Sequence, residues 1–270
     1  MLALASLQNM TEYFMKRPFT IIIWFLLTSI STFASPTIYK TWIGENLEYL
    51  EITEEKANFE FGFDLYDYGV TYKDSTLTLI DYSYRSRKIG RRHEKYVYKV
   101  LRLTNDSLII SPLNERASRL IHGKTVFIFV DKSLLYKTDL KFQKIFFSAG
   151  VCFGECPAMK IEIDSTGLTY FLGEYHTGTY LGLYKGQLTK VQLDSLIEIL
   201  KVSELDKFPI RLNIAMDASR YNFKFSYNDK VKTSVGDFVP YFTSPLLNYL
   251  MTIYKEIEFE EIEETYEFGK

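Results

Sequence analysis

Residues 142–175, FQKIFFSAGVCFGECPAMKIEIDSTGLTYFLGEY, set the fold class of the second half of the chain. Residues 142–151, 159–163 and 168–175 each read as a strand. Asp164-Ser165-Thr166-Gly167 supplies a polar turn between the last two segments. Three strands in succession, joined by short connections, predict an antiparallel β-meander.

Downstream, 178–187 reads as a strand punctuated by glycine. Thr189-Lys190-Val191-Gln192 then has the capping-box pattern, with a hydroxyl to start a helix and Gln three residues on. Leu193, Leu196, Ile197 and Leu200 give that helix one apolar face, and Pro209 closes the stretch. Residues 220–227 and 230–235 flank Asn228-Asp229, a pair suited to a tight hairpin. Ser244-Pro245 opens a last helix, with Ser244 as its N-cap and Leu246, Leu247, Leu250, Ile253 and Tyr254 on its apolar face. The expectation for 141–257 is an α+β domain with two helices packed on an antiparallel sheet. Residues 258–270 follow as an acidic tail. Glu256, Glu258, Glu260, Glu261, Glu263, Glu264 and Glu267 predict that this end is solvated and frayed.

Upstream, residues 37–137 alternate in short strands near 47–52, 58–63, 76–84, 95–103, 107–111 and 125–130. A short helix is expected at 114–120, and Thr104-Asn105-Asp106 makes a turn. This spacing predicts a β-rich domain, an antiparallel barrel or sandwich. The 21 Tyr and 21 Phe support it, because aromatic rings suit pleated surfaces. The opening Trp42 followed by strands resembles lipocalin-like domains. The boundary to the second domain is expected near 131–139.

Residues 1–34 carry an address. Lys16 and Arg17 precede the apolar run 18–27, and Thr32-Phe33-Ala34 fits a small-x-small cleavage site. Met15 is the expected initiator, residues 1–14 an over-extended start, and cleavage is expected near Ala34. The run is shorter than the roughly 20 residues of a spanning helix, so no transmembrane segment is expected after cleavage. The mature protein is then exported, periplasmic or extracellular. Net charge is −2, which gives no field for nucleic acid.

The chain has two cysteines, in Val151-Cys152-Phe153-Gly154-Glu155-Cys156-Pro157. In an oxidising compartment so close a pair is expected to form a disulfide that pins a bend, with Gly154 easing the bend and Pro157 fixing its exit. A redox-active thiol centre is the competing reading, although such centres usually have two intervening residues and a helix N-terminus. Metal binding would draw on His176 and leaves a tetrahedral zinc site incomplete.

Cys-Phe-Gly-Glu-Cys-Pro, with Lys160-Ile161-Glu162-Ile163, Gly167 and Tyr170 after it, resembles the domain of unknown function numbered 6438, marked by Cys-x-Gly-x-Cys-Pro. The likeness covers about 142–254. Met159 stands where that family often has an aromatic residue. The resemblance implies the paired cysteines and the domain boundary, and no activity.

Other candidates are dispersed. Arg85, Arg87, Lys88, Arg91 and Arg92 form the one basic cluster, able to meet a phosphate, an acidic glycan or a lipid head group, or simply to solvate a hairpin around Gly90. His93, His122 and His176 fall in loops without a catalytic companion, and Asp217 precedes a strand as a turn or site residue. No nucleophile elbow, metalloprotease helix or nucleotide-binding loop appears, so no cofactor is implied. The functional expectation is a non-enzymatic binding or interaction module of the cell envelope. Its partner would be an envelope protein, a glycan or a small apolar ligand. The alternatives are a thiol-disulfide or hydrolytic envelope enzyme, and a carrier of a small apolar ligand in the N-terminal domain.

Overall fold

The alternating strands of the first half close on themselves. In this computed structural model, which describes residues 35–61, 64–82, 85–86, 90–91, 93–121, 123–208 and 218–270, they run in chain order as follows. First come β1 (Thr41–Gly44), β2 (Tyr49–Ile52), β3 (Lys56–Phe61), β4 (Asp64–Lys73) and β5 (Thr76–Asp81). A small ribbon, β6 (Arg85–Ser86) and β7 (Gly90–Arg91), precedes β8 (Glu94–Leu103), β9 (Ser107–Pro112) and β10 (Phe127–Asp131). Eight of these form a closed barrel in the order β1-β10-β9-β8-β5-β4-β3-β2. Of the two architectures expected, the barrel is the one observed. Closure comes from β1, whose Trp42 lies opposite both Leu50 of β2 and Asp131 of β10. No strand of the barrel is left as an open edge.

The inward positions fill the barrel. Trp42, Phe59, Leu77, Tyr98, Leu108 and Phe129 are completely buried and belong to one cluster. A barrel of eight strands is just wide enough to be filled by such side chains or to hold one small ligand. Trp42 Nε1 donates to Ile38 O at 2.8 Å, so its polar edge is also satisfied. Helix α1 (Glu115–Leu120) starts at Asn114, whose side chain accepts from Ala117 N at 2.9 Å, and Ala117 packs into the same cluster.

The second half forms a seven-stranded antiparallel sheet from β11 (Phe142–Ala149), β12 (Ala158–Asp164), β13 (Leu168–Tyr175), β14 (Gly182–Gln187), β15 (Tyr221–Tyr227), β16 (Lys230–Gly236) and β17 (Phe259–Glu261). Their order is β16-β15-β11-β12-β13-β14-β17, with the expected meander at its centre. Helices α2 (Lys190–Val202) and α3 (Ser244–Thr252) cover one face. Ile145, Phe147, Ile161, Phe171, Leu196, Leu200, Leu246 and Leu250 share the buried core between them.

Local chemistry explains several ends. Thr189 and Gln192 make the full capping box of α2. Asn228 and Asp229 both have positive φ, 47° and 56°, as the first-type mirror turn of a tight hairpin requires. The strand expected from 178 starts later, at Gly182, because residues 176–181 form a loop. The last helix also differs from expectation. A 3-10 turn, Tyr241–Thr243, precedes it, so Thr243 takes the cap position and Ser244 Oγ instead donates to Tyr241 O at 2.7 Å.

The tail is a clear correction. Residues 258–270 are not frayed: Phe259–Glu261 pair with β14, and Tyr266 stacks on Tyr170 with ring centroids 3.7 Å apart. The apolar residues between the glutamates decide its placement.

Residues 37–270 cluster as one unit, whereas the expected leader, 1–34, lies outside the described residues. Barrel and sheet share a small core of Ile43, Leu47, Tyr49, Leu135 and Phe242. Tyr241 N donates to the buried Glu60 at 2.8 Å, and its ring meets Tyr49 edge-on at 4.8 Å.

At the end of β10, Lys40 Nζ bonds Asp131 at 2.6 Å and Asn105 O at 2.7 Å. Burial pushes the Asp131 carboxyl up, but hydrogen bonds from Lys40 and Ser133 outweigh it and hold the group below its ordinary value. A lowered carboxylate contributes stability above its unfolded pKa of about 4, and loses it as pH falls through the folded value. Thermal melts from pH 6 to pH 2 should therefore show a steeper acid loss in the wild type than in Asp131→Asn. Equal slopes would remove Asp131 from the acid response.

Candidate functional site

The loops at one end of the second sheet hold the cysteine motif. Strands β11 and β12 are joined by residues 150–157, and Gly150 N donates to Arg220 O at 2.9 Å, which ties the loop to β15. Cys152 and Cys156 form a disulfide, with Cα atoms 5.6 Å apart, and neither thiol is free. Both cysteines and Pro157 are half-buried at the base of the loop. Its tip is apolar and open: Phe153 is 91% exposed and Val151 65%.

Gly154 does not play the part its sequence suggests. It has no left-handed φ, and a Cβ there would meet Cys152 Sγ at an ordinary 3.7 Å. The disulfide itself sets the bend.

The register brings a second loop alongside. Ala158 opposes Tyr175 and Gly173 opposes Gly182, so residues 176–181 lie at the same end of the sheet as 150–157. His176 has φ +53°, and its exposed ring sits edge-on to Tyr175 at 3.9 Å. Thr177, 2% exposed, bonds Tyr180 O and folds the loop back. Tyr175 and Leu181 add exposed apolar surface to this end. A cavity of about 460 Å³ opens here, lined by His176, Thr177, Gly178, Thr179, Tyr180, Tyr254 and Lys255.

The fold-back depends on Gly173, because a Cβ there would run into the backbone oxygen of Tyr180 and the hydroxyl of Thr177. Backbone cannot yield as a flexible side chain does. Gly173→Ala is expected to displace the 176–181 loop and to destabilise by about 2 kcal/mol, within the range for an overpacked site. Melting temperature and backbone amide shifts at Thr177 check this. Unchanged shifts would contradict it.

The basic cluster lies elsewhere, between β5 and β8. Arg85 pairs with Arg91 and Ser86 with Gly90 along a short antiparallel ribbon, while Arg87, Lys88 and Arg92 lie outside the described residues. His122 and Asp217 also lie outside them. His93 is exposed and meets the Tyr82 ring at 4.9 Å. Among the described residues no three potential ligands converge as a metal site.

A further cluster escaped the sequence. On the face opposite the helices Glu162 is 3% exposed and is held by Lys144 at 3.0 Å, Tyr266 OH at 2.6 Å and Gly269 N at 2.7 Å. Burial, together with the neighbouring Glu162 carboxylate, drives the Tyr266 hydroxyl well above its ordinary pKa. The outward position of Glu162 in Lys160-Ile161-Glu162-Ile163 was legible. Its donors Tyr266 and Gly269, 104 and 107 residues away, were not.

No curated protein and no solved structure matches the chain. Residues 143–259, which take in six strands of the second sheet, its helices and the cysteine loop and stop at the start of β17, match the family described as a domain of unknown function, DUF6438.

Proposed function

We propose that the chain is exported and acts as a non-enzymatic binding or interaction module of the cell envelope, meeting its partner through the disulfide-closed loop. The observation that carries this reading is Phe153, 91% exposed at the tip of a loop whose ends are joined covalently. An aromatic side chain on a loop already ordered loses little entropy on docking, as the central anchors of interfaces do. Disulfides persist in oxidising compartments, which supports export.

A photo-crosslinking amino acid at position 153 tests the contact in cells. The expected result is a discrete crosslinked species that is absent when the same group sits at the exposed Lys190. A blank lane at both positions counts against the module. Export has its own readout: the secreted chain should begin at Ser35, and recovery of an uncleaved cytoplasmic chain would refute it.

The pair itself is proposed as a structural clip. Closing about five residues contributes about 2 kcal/mol by loop entropy. The double variant Cys152→Ser/Cys156→Ser should melt a few degrees lower and keep its fold. An active thiol-disulfide enzyme would instead catalyse insulin reduction in the wild type and lose that activity in the variant.

The carrier reading draws on one observation, the Tyr98 hydroxyl, buried in the barrel with no hydrogen-bond partner among the described residues. Such a group would suit the polar end of an apolar ligand. Native mass spectrometry with fatty-acid probes tests it, and a single apo mass throughout would set it aside.

A further inference from the structure

We propose that the outer face of the second sheet is a peptide-binding site, closed here by the chain's own residues 266–270 and able to take the same segment from a second copy. The C-terminal segment leaves the strand ladder after β17, where Ile262 N donates to Leu183 O. It then crosses the strands rather than pairing with them. Tyr266 stacks on Tyr170 of β13, with planes 8° apart. Its hydroxyl and Gly269 N both donate to Glu162 of β12. Phe268 meets Phe146 of β11 at 6.2 Å. Lys144 of β11 donates to Lys270 O at 2.8 Å, and Lys224 of β15 donates to Gly269 O at 2.6 Å.

Four adjacent strands thus each present an outward residue to one short peptide. The receiving groups do different chemical work: an aromatic platform, an acceptor for N–H and O–H, and two amines for backbone oxygens. Glu162 decides the argument. It is 3% exposed, and two of its three donors belong to the segment laid over it. The segment itself completes the burial of this carboxylate and supplies two of the donors that a buried charge needs, so face and segment satisfy each other. The occupant's signature is Tyr-x-Phe-Gly. Gly269 has φ +74°, and a Cβ there would press on the Phe146 ring at 3.3 Å.

The link to β17 consists of the exposed Glu263, Glu264 and Thr265. A tether this short holds the segment at an effective concentration on the order of millimolar. The closed form therefore excludes dilute competitors, and exchange between copies becomes visible when one copy's own segment fits poorly.

Full-length Gly269→Val has such a segment over an unaltered face. A fluorescent peptide with the sequence of residues 262–270 is expected to bind it saturably and at least about tenfold more tightly than it binds the wild type, because the tethered competitor is weakened. Adding Glu162→Gln should abolish that gain. Full-length Tyr266→Ser gives the same reading should Gly269→Val fail to fold. Exchange between copies has a complementation test. Glu162→Gln has a sound segment on a weakened face, so mixed with Gly269→Val it should give a heterodimer by native mass spectrometry, with each variant alone monomeric. A folded Gly269→Val chain that ignores the peptide at millimolar concentration, or binds it as the wild type does, overturns the site. Monomers alone in the mixture overturn the exchange between copies.

Discussion

Trp42→Ala is expected to be the most damaging single substitution in the barrel, lowering stability by about 5 kcal/mol, the upper end for truncating a buried large aromatic. Trp42 is fully buried, and it stands in the strand that closes the barrel between β2 and β10. Truncation opens a cavity among Leu50, Phe59 and Phe129, members of the same core. It also strips Ile38 O of the indole N–H at 2.8 Å, leaving the backbone N–H of Lys40 at 2.9 Å as its remaining donor. Trp42→Phe keeps most of the volume and loses only the hydrogen bond, so it should recover more than half of the loss. Chemical denaturation of the three proteins checks the order, and a Trp42→Ala chain as stable as Trp42→Phe would contradict it.

Phe171→Ala should cost about 4 kcal/mol in the second sheet. Phe171 is fully buried, stacked on Tyr254 at 4.7 Å and on Phe259 at 5.5 Å, so it joins the sheet to the segment after α3 and to its last strand. Barrel and sheet share the Ile43, Leu47, Tyr49, Leu135 and Phe242 core and the Tyr241 to Glu60 hydrogen bond. Both substitutions are therefore expected to shift one common unfolding transition. Calorimetry that resolved two transitions, each answering to a single variant, would show that this shared core does not couple the halves.

What was legible in the sequence is what local chemistry decides. The capping box at Thr189 and the hairpin at Asn228-Asp229 use side chains within three residues of the backbone they arrange. The meander at 142–175 was equally legible, because strand, turn and strand follow one another. Barrel closure was not, since it rests on Trp42 opposing Asp131 across most of the first half. The tail shows the same limit from another side. Its glutamates are exposed as expected, but Tyr266 and Phe268 between them find Tyr170 and Phe146, and no local signal distinguishes a stacked tyrosine from a solvated one.

The candidate site divides in the same way. The cysteine pair could be read from its spacing, because a disulfide needs only two nearby thiols. The exposure of Phe153 could not, because an aromatic residue in a short loop is as often folded inward. The Glu162 cluster needed three dimensions, with its tyrosine donor 104 residues away.

The central claim, a disulfide-clipped module rather than a thiol enzyme, is tested most directly by titrating thiols on mature protein recovered outside the cytoplasm, native and unfolded, before and after reductant. The account predicts no titratable thiol in either state without reductant, two in the unfolded chain after it, and a reduced protein that still folds but melts a few degrees lower. Free thiols in the native exported protein, or rapid exchange with glutathione at no loss of stability, would contradict it and assign Cys152 and Cys156 to redox chemistry.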